Sequence, residues 1–331
     1  MKVTIKDVAS LSGVSKSTVS RVLSNDSRIS ETTKEKVNAA IERLNYKPNV
    51  IARSLAINKT KILGVIIPRE AEDSFSNPFF IQAMKGMSIC AGEKGYHIMY
   101  SFSEEEEGLI KSINDFSSNN MIDGICLLST TVNDKCIKSL NDKNFPYVTI
   151  GRPENPKEGL WVDNDNFKAM EDVVLKLIEK GHKKIGFVGA KKDMNVSRDR
   201  LGGYLQGILV KGINIDRNII KEGESFTIEE GYKLSKEVLK EGVTAIIGTD
   251  DLLALGILEA VNESGREISV VGFNNISIAK FQKPALSSVD INGSELGYSA
   301  IELLINKLED KEIKENFKIV KTELIERESL R

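Results

Sequence analysis

The stretch TIKDVASLSGVSKSTVSRVL, residues 4–23, packs two short helices and a tight turn into twenty residues. Thr4 is placed to cap a first helix, with Asp7 three positions on in place of the usual Glu of a capping box. Ile5, Val8 and Ala9 then recur at helical spacing, Gly13 breaks the helix and Val14 packs the turn. Ser15 caps a second helix, KSTVSRVL, whose Val19, Val22 and Leu23 form an apolar stripe. A small residue at Ala9, a glycine at Gly13 and a branched residue at Val19 are what a helix-turn-helix requires: close approach, a left-handed turn and a locked second helix. The other face of that helix carries Lys16, Ser17, Ser20 and Arg21. Long donors near a helix N-terminus can reach base edges in a major groove, and Arg21 can grip guanine O6 and N7 as a bidentate fork. A generic helical hairpin with a polar face would show the same pattern, so the flanking sequence has to decide.

Immediately downstream, TTKEKVNAAIERLNY predicts a third helix over about 31–45, with Val37, Ala40, Ile41 and Leu44 facing inward to complete a three-helix core. NYKPNVIARSLAINKTK follows. Pro48 stops the third helix and suits the first turn of another, but residues 49–57 are too few to stay helical alone. Such a segment orders when something holds it, and DNA with a symmetry mate would do so. Leu55 beside the small Ala52 suits a wedge entering a minor groove, with Arg53 at the backbone. Charge is distributed to match: residues 1–61 hold twelve Lys/Arg and five Asp/Glu, while the whole chain stands at −2, leaving −9 on the remainder. A basic head on an acidic body means that only the head approaches phosphate.

From Lys61 onward the texture changes. ILGVII (62–67), HIMYSF (97–102), GICLLS (124–129), PYVTIG (146–151), KIGFVG (184–189), AIIGTD (245–250) and ISVVGF (268–273) are short apolar runs bounded by Gly, Pro or Asp. Their continuity predicts parallel strands covered on both faces. Amphipathic stretches lie between them, and PFFIQAMKGMSICAGEKG and AMEDVVLKLIEKG end in Lys-Gly, a helix stop. This alternation, in a chain of 331 residues, exceeds one small sheet. Two doubly wound parallel-sheet subdomains with a cleft between them are expected, behind an all-α N-terminal domain. EEEE at 104–107 reads as a solvated loop.

Composition excludes other classes. Hydrophobic content is 40% and no apolar run reaches membrane-spanning length; the N-terminus lacks the apolar core of a secretory signal, so a cytoplasmic protein is expected. Cys90, Cys126 and Cys136 are odd in number, far apart and set among apolar residues, which argues for buried thiols rather than disulfides or zinc. The histidines are His97 and His182, and no HExxH, P-loop or GxSxG is present. Neither catalysis, a cofactor nor a metal is expected.

TIKDVASLSGVSKSTVSRVL, NYKPNVIARSLA, NPFF, GHKKIGFVG, TDDLLALG and ISVVGFNN resemble, in order, segments of the lactose-repressor (LacI/GalR) family, and the resemblance covers essentially the whole chain. It implies a helix-turn-helix domain at 1–47, a hinge at 48–61 and a periplasmic-binding-protein-like core at 62–331. That core would comprise an N-subdomain of about 62–160 and 292–321 and a C-subdomain of about 161–291 and 322–331. It implies a homodimer on a pseudo-palindromic operator, with Lys16, Ser17 and Arg21 reading bases and Ser15, Thr18, Ser30 and Asn49 touching phosphate. Paired hinge helices would open the minor groove through Leu55. With no heptad extension after RESLR, a dimer is expected rather than a tetramer.

The resemblance also places a small effector between the subdomains. Phe79 and Phe80 are candidates to stack on a sugar face, one of them being expected to belong to the helix core. Arg200 matches the family's effector-binding arginine, with Arg198 the weaker candidate. Asp250 lies at a strand's carboxyl end, Asp251 beside it is expected to cap the next helix, and Asn274 and Gly151 stand where relatives carry acids. IGRP (150–153), VDNDN (162–166), GFNN (272–275) and SSVDIN (287–292) resemble the maltose-operon repressors, which points to maltose or a short maltodextrin. The alternative is a catabolite-control regulator that takes its signal from a phosphorylated carrier protein.

Overall fold

The computed structural model describes residues 3–23, 26–46, 59–67, 77–103, 105–118 and 121–331. The chain divides into two units at Thr60/Lys61. In the first unit, α1 (Ile5–Ser12), α2 (Lys16–Leu23) and α3 (Glu31–Arg43) enclose Val8, Ala9, Val19, Val22, Val37 and Ala40. All six are small or β-branched, which lets three short helices approach closely. The Asp7 carboxylate accepts the Thr4 backbone N–H and the Thr4 hydroxyl, each at 2.8 Å. Those bonds, the backbone one foremost, hold its pKa below the ordinary carboxylate value. Gly13 ends α1 at φ +69°, a conformation in which a side chain would be strained. Ser15 Oγ accepts the Thr18 N–H at 3.1 Å, the cap that starts α2. α3 stops at Arg43, short of the expected 45, with Leu44 as its C-cap.

The second unit contains two six-stranded sheets. The strands are β1 (Ile62–Ile67), β2 (His97–Phe102), β3 (Gly124–Leu127), β4 (Tyr147–Ile150), β5 (Leu160–Asn164), β6 (Ile185–Ala190), β7 (Ile220–Gly223), β8 (Ala245–Gly248), β9 (Ser269–Phe273), β10 (Ser287–Asp290), β11 (Phe317–Val320) and β12 (Glu323–Ile325). The first sheet runs β11-β5-β4-β3-β1-β2, all parallel. The second runs β12-β10-β9-β8-β6-β7, parallel except for β12, which is antiparallel to β10. Each sheet, with its helices, forms one lobe. Central strands are buried along their length except at half-buried Ile62, which starts β1, as their apolar runs require. The edge strand β2 departs from that reading: His97, Tyr100 and Phe102 are exposed.

The chain passes between lobes after Asn164, Asp290 and Val320. The expected first boundary, near 161, is corrected. Residues 160–164 pair with β4 and β11 in the first sheet, so the crossing falls after that strand. One side chain ties all three crossings. The buried Asn164 amide donates to Ile291 O at 3.0 Å and to Val320 O at 2.9 Å. Two carbonyls released by the crossing chain are thus satisfied by the residue at which the first crossing begins.

Among the described residues, no helix is long and apolar enough to cross a membrane. Cys90, Cys126 and Cys136 are free and buried, and burial pushes their thiols up to about 11, 12 and 12.

Candidate DNA-reading face and ligand cleft

On α2 the apolar stripe turns Val19 and Val22 inward, and the remaining turn of the helix puts Lys16, Ser17, Ser20 and Arg21 in solvent. These are side chains of one exposed face, with both cations among them. Ser15 is exposed and Thr18 half-buried at the N-terminus of α2, where Ser15 Oγ also bonds Ser17 Oγ at 2.7 Å and Thr18 Oγ1 at 2.9 Å. Ser30 sits exposed at the N-terminus of α3, with Thr33 Oγ1 at 2.9 Å. Helix N-termini attract anions, so these hydroxyls stand where phosphate contact is favourable. Asn49, Ala52, Arg53 and Leu55 lie outside the described residues.

The cleft of the second unit forms at the carboxyl ends of the strands, where chain order reverses about β1/β3 in one sheet and β6/β8 in the other. Open α/β sheets bind ligands at that place. Asn77, Phe79 and Phe80 line it beyond β1, Leu128–Thr130 follow β3, and Ile150 and Gly151 end β4. From the second lobe come Met194 and Arg200 beyond β6, Asp250 beyond β8 and Asn274 after β9.

Phe79 and Phe80 meet edge to face, with centroids 5.1 Å apart. Both are half-buried, and both pack against the core as well as lining the cleft. Arg200 is 6% exposed. Its Nε donates to Asn166 Oδ1 at 3.0 Å, its Nη1 donates to Thr249 O, and its guanidinium lies 4.5 Å above the Phe273 ring. Burial lowers its pKa to about 10 against the opposing pull of Asp250 and Asp163, so it stays charged at neutral pH. Arg198 is exposed and pairs loosely with Glu154, at 3.7 Å.

Asp250 does two jobs. Its Oδ1 accepts the Leu252 N–H at 2.7 Å and so caps helix Asp251–Ser264. Its Oδ2 accepts Asn77 Nδ2 at 2.9 Å and Asn274 Nδ2 at 2.6 Å, joining both lobes across the cleft. The cap expected of Asp251 therefore belongs to Asp250, whose extended backbone (φ −149°, ψ 153°) is the cap conformation. Asp251 is instead the first helical residue. It is fully buried, accepting Ser288 Oγ at 2.6 Å and the Ile276 N–H at 2.8 Å.

Burial raises the Asp251 carboxyl from an ordinary 3.8 to about 8. The native state then holds a proton that the unfolded chain releases. Its stabilising contribution is full below about pH 4 and is lost as pH rises through about 8. The urea midpoint should fall between pH 6 and pH 8, and Asp251→Asn should flatten that fall. An unchanged slope in the variant would remove Asp251 as its source.

Asn274 adopts φ +101° and Gly151 φ +106°, conformations that most side chains resist. At Gly151 a Cβ would also stand 2.9 Å from Thr130 Oγ1, so an acid cannot enter there without displacing its neighbour. Among the polar and aromatic lining residues outside the sequence candidates are Asn77, Asp163, Asn166 and Phe226. The first three stood within the quoted motifs NPFF and VDNDN, and their position beyond strand ends was the available signal. The buried Asp163 accepts the Arg152 N–H at 2.8 Å through Oδ2, and the Asn164 N–H at 2.7 Å and Asn166 Nδ2 at 2.9 Å through Oδ1. Burial nevertheless brings its carboxyl up to about 6.

Comparison with known proteins settles the family. Residues 4–49 match the lacI family of bacterial regulatory proteins, and residues 174–330 match a periplasmic binding protein-like domain. The HTH-type transcriptional regulator MalR of Streptococcus pneumoniae serotype 4 is 36% identical over 312 residues, 94% of each chain. The chain belongs to the lacI family of bacterial regulatory proteins. A putative LacI transcriptional regulator from Bacillus cereus subsp. cytotoxis superposes with a TM-score of 0.78 at 35% identity, covering 82% of this chain and 98% of that one. The CelR–cellobiose complex superposes with a TM-score of 0.77 at 27% identity over 99% of each chain. This lacI-family chain is thus a DNA-binding transcription regulator: a helix-turn-helix followed by a periplasmic-binding-protein-like core.

Proposed function

We propose that the chain represses carbohydrate-utilisation genes as a homodimer on a pseudo-palindromic operator, and that a small sugar in the cleft controls its operator affinity. One observation carries this reading. A pair of aromatic rings from one lobe shares a cleft with a buried guanidinium of the other and with carboxylates and amides supplied by both. Aromatic faces suit the apolar face of a pyranose, and the charged and amide groups suit its hydroxyls. Maltose or a short maltodextrin is the proposed effector, supported by the likeness to MalR and by the cellobiose held by CelR, another glucose disaccharide. Phe79, Phe80, Arg200, Asp250 and Asn274 are its proposed contacts. Lys16, Ser17 and Arg21 are assigned to bases, and Ser15, Thr18, Ser30 and Asn49 to phosphate. Ala52, Arg53 and Leu55 are assigned to the minor groove. Such a regulator works in the cytoplasm.

Calorimetry of the full chain with maltose, with glucose and with a phosphorylated carrier protein tests the effector. Saturable heat with maltose that exceeds that with glucose is expected. Heat with the carrier alone would replace the sugar reading by a catabolite-control one.

A further inference from the structure

A set of contacts joins the lobes beside the cleft and uses protein groups alone. Arg152, just beyond β4 in the first lobe, places Nη2 3.0 Å from both Oδ1 and Oδ2 of Asp199 on helix Asn195–Val210 of the second. Around this pair, Thr131 and Met194 form an isolated antiparallel bridge, and the Val132 N–H donates to Asp193 O at 2.8 Å. The Asn195 N–H donates to Thr130 O at 3.2 Å, and its side-chain amide donates to Arg152 O at 3.1 Å.

These contacts lie off the hinge. The crossings are tied at Asn164, which ends β5, whereas Arg152 follows β4 and Thr130–Val132 follow β3. Neighbouring strands stand about 4.8 Å apart, so the contacts are displaced about 5–10 Å from the tied strand along the sheet. Lobes that rotate about the crossings must break them. Because these contacts run directly between protein groups, their free energy favours the closed arrangement in the chain by itself.

We propose that Arg152 and Asp199 form a latch that sets how much of the ligand-free chain already has its lobes closed. Arg152 is the junction: its side chain reaches the other lobe, while its own N–H rests on the cleft carboxylate of Asp163. When the binding-competent state is only partly populated, the effector's dissociation constant is its intrinsic value divided by that fraction, so affinity falls as the closed fraction falls. The pair is half-exposed on the Arg152 side, so salt screens it. Affinity for an uncharged sugar should then weaken as salt rises. That consequence rests on the effector reading of the cleft; the test below does not.

In the full-length chain, Lys138→Cys and Lys211→Cys put one dye on an exposed site of each lobe, while the native cysteines are buried. With the labelled chain diluted into unlabelled chain, single-molecule energy transfer reads the interlobe distance with no ligand added. A dominant short-distance population is expected. Arg152→Glu and Asp199→Arg should each lower the closed-to-open ratio about two- to fivefold, and the double exchange should restore it. Raising salt from 0.05 to 0.5 M should lower the ratio in the unexchanged chain. Arg152 is exposed and Asp199 partly buried, and Asp199→Asn provides a milder variant should either exchange unfold the chain. Single exchanges that leave the distribution unchanged, or a double exchange that fails to restore it, would overturn the latch.

Discussion

Arg21→Ala should bind the operator on the order of 100-fold more weakly and lose base preference at one pair in each half-site. A bidentate arginine–guanine contact contributes about 1–3 kcal/mol of discrimination, and a dimer makes it twice. Arg21 stands exposed on α2 beside the two buried residues that anchor the helix, Val19 and Val22. Truncation therefore removes the reading group without removing core. A quantitative footprint on selected operator sequences, compared with Lys16→Ala, provides the measurement. Unchanged footprints in both variants would mean that another surface reads the DNA.

Arg200→Ala should abolish measurable effector binding, a loss of at least 100-fold. The guanidinium is the buried positive charge at the centre of the network of Asp163, Asn166, Asp250 and the Thr249 carbonyl. Breaking such a buried charge set costs about 3–5 kcal/mol, because the carboxylates remain without their counter-charge. Part of that cost falls on stability, so the thermal midpoint of the variant should drop as well. Arg200→Lys keeps the charge and loses the planar fork, and should recover stability more than affinity. Calorimetry and thermal unfolding on the three chains separate the two effects. An alanine variant that retains full effector affinity would place the ligand elsewhere.

The sequence and the structure agree where one residue type admits one structural role. Gly13, Thr4 with Asp7, and the alternating valines made the head legible, because a left-handed turn, a capping box and a three-helix core leave few alternatives. The continuous runs of β1, β3, β4, β6, β8 and β9 were legible for the same reason: only strands buried on both faces can be apolar throughout. Apart from β2, strands at or near sheet edges were not. β7 (IKEG), β10 (SSVD) and β12 (ELI) are short and polar, and β5 (LWVDN) ends in side chains that serve the cleft and the hinge. The missed β5 displaced the first lobe boundary.

Within the cleft, Phe79, Phe80, Arg200, Asp250 and Asn274 come together as lining residues. Two adjacent acids defeated sequence reasoning, since Asp250 and Asp251 offer identical chemistry and backbone angles alone decide which one caps. The partnership of Asn77 with Asp250 spans 173 residues of chain, and no local pattern announces it.

Operator affinity measured with and without maltose, in the unmodified chain and in Arg200→Ala, tests the central claim most directly. Fluorescence anisotropy on a selected pseudo-palindrome should show tight, sequence-specific binding that maltose changes at least tenfold in the unmodified chain. The same sugar should leave Arg200→Ala at its ligand-free affinity. Equal maltose responses in both chains, or no sequence preference in either, would contradict an account in which the cleft governs the reading head.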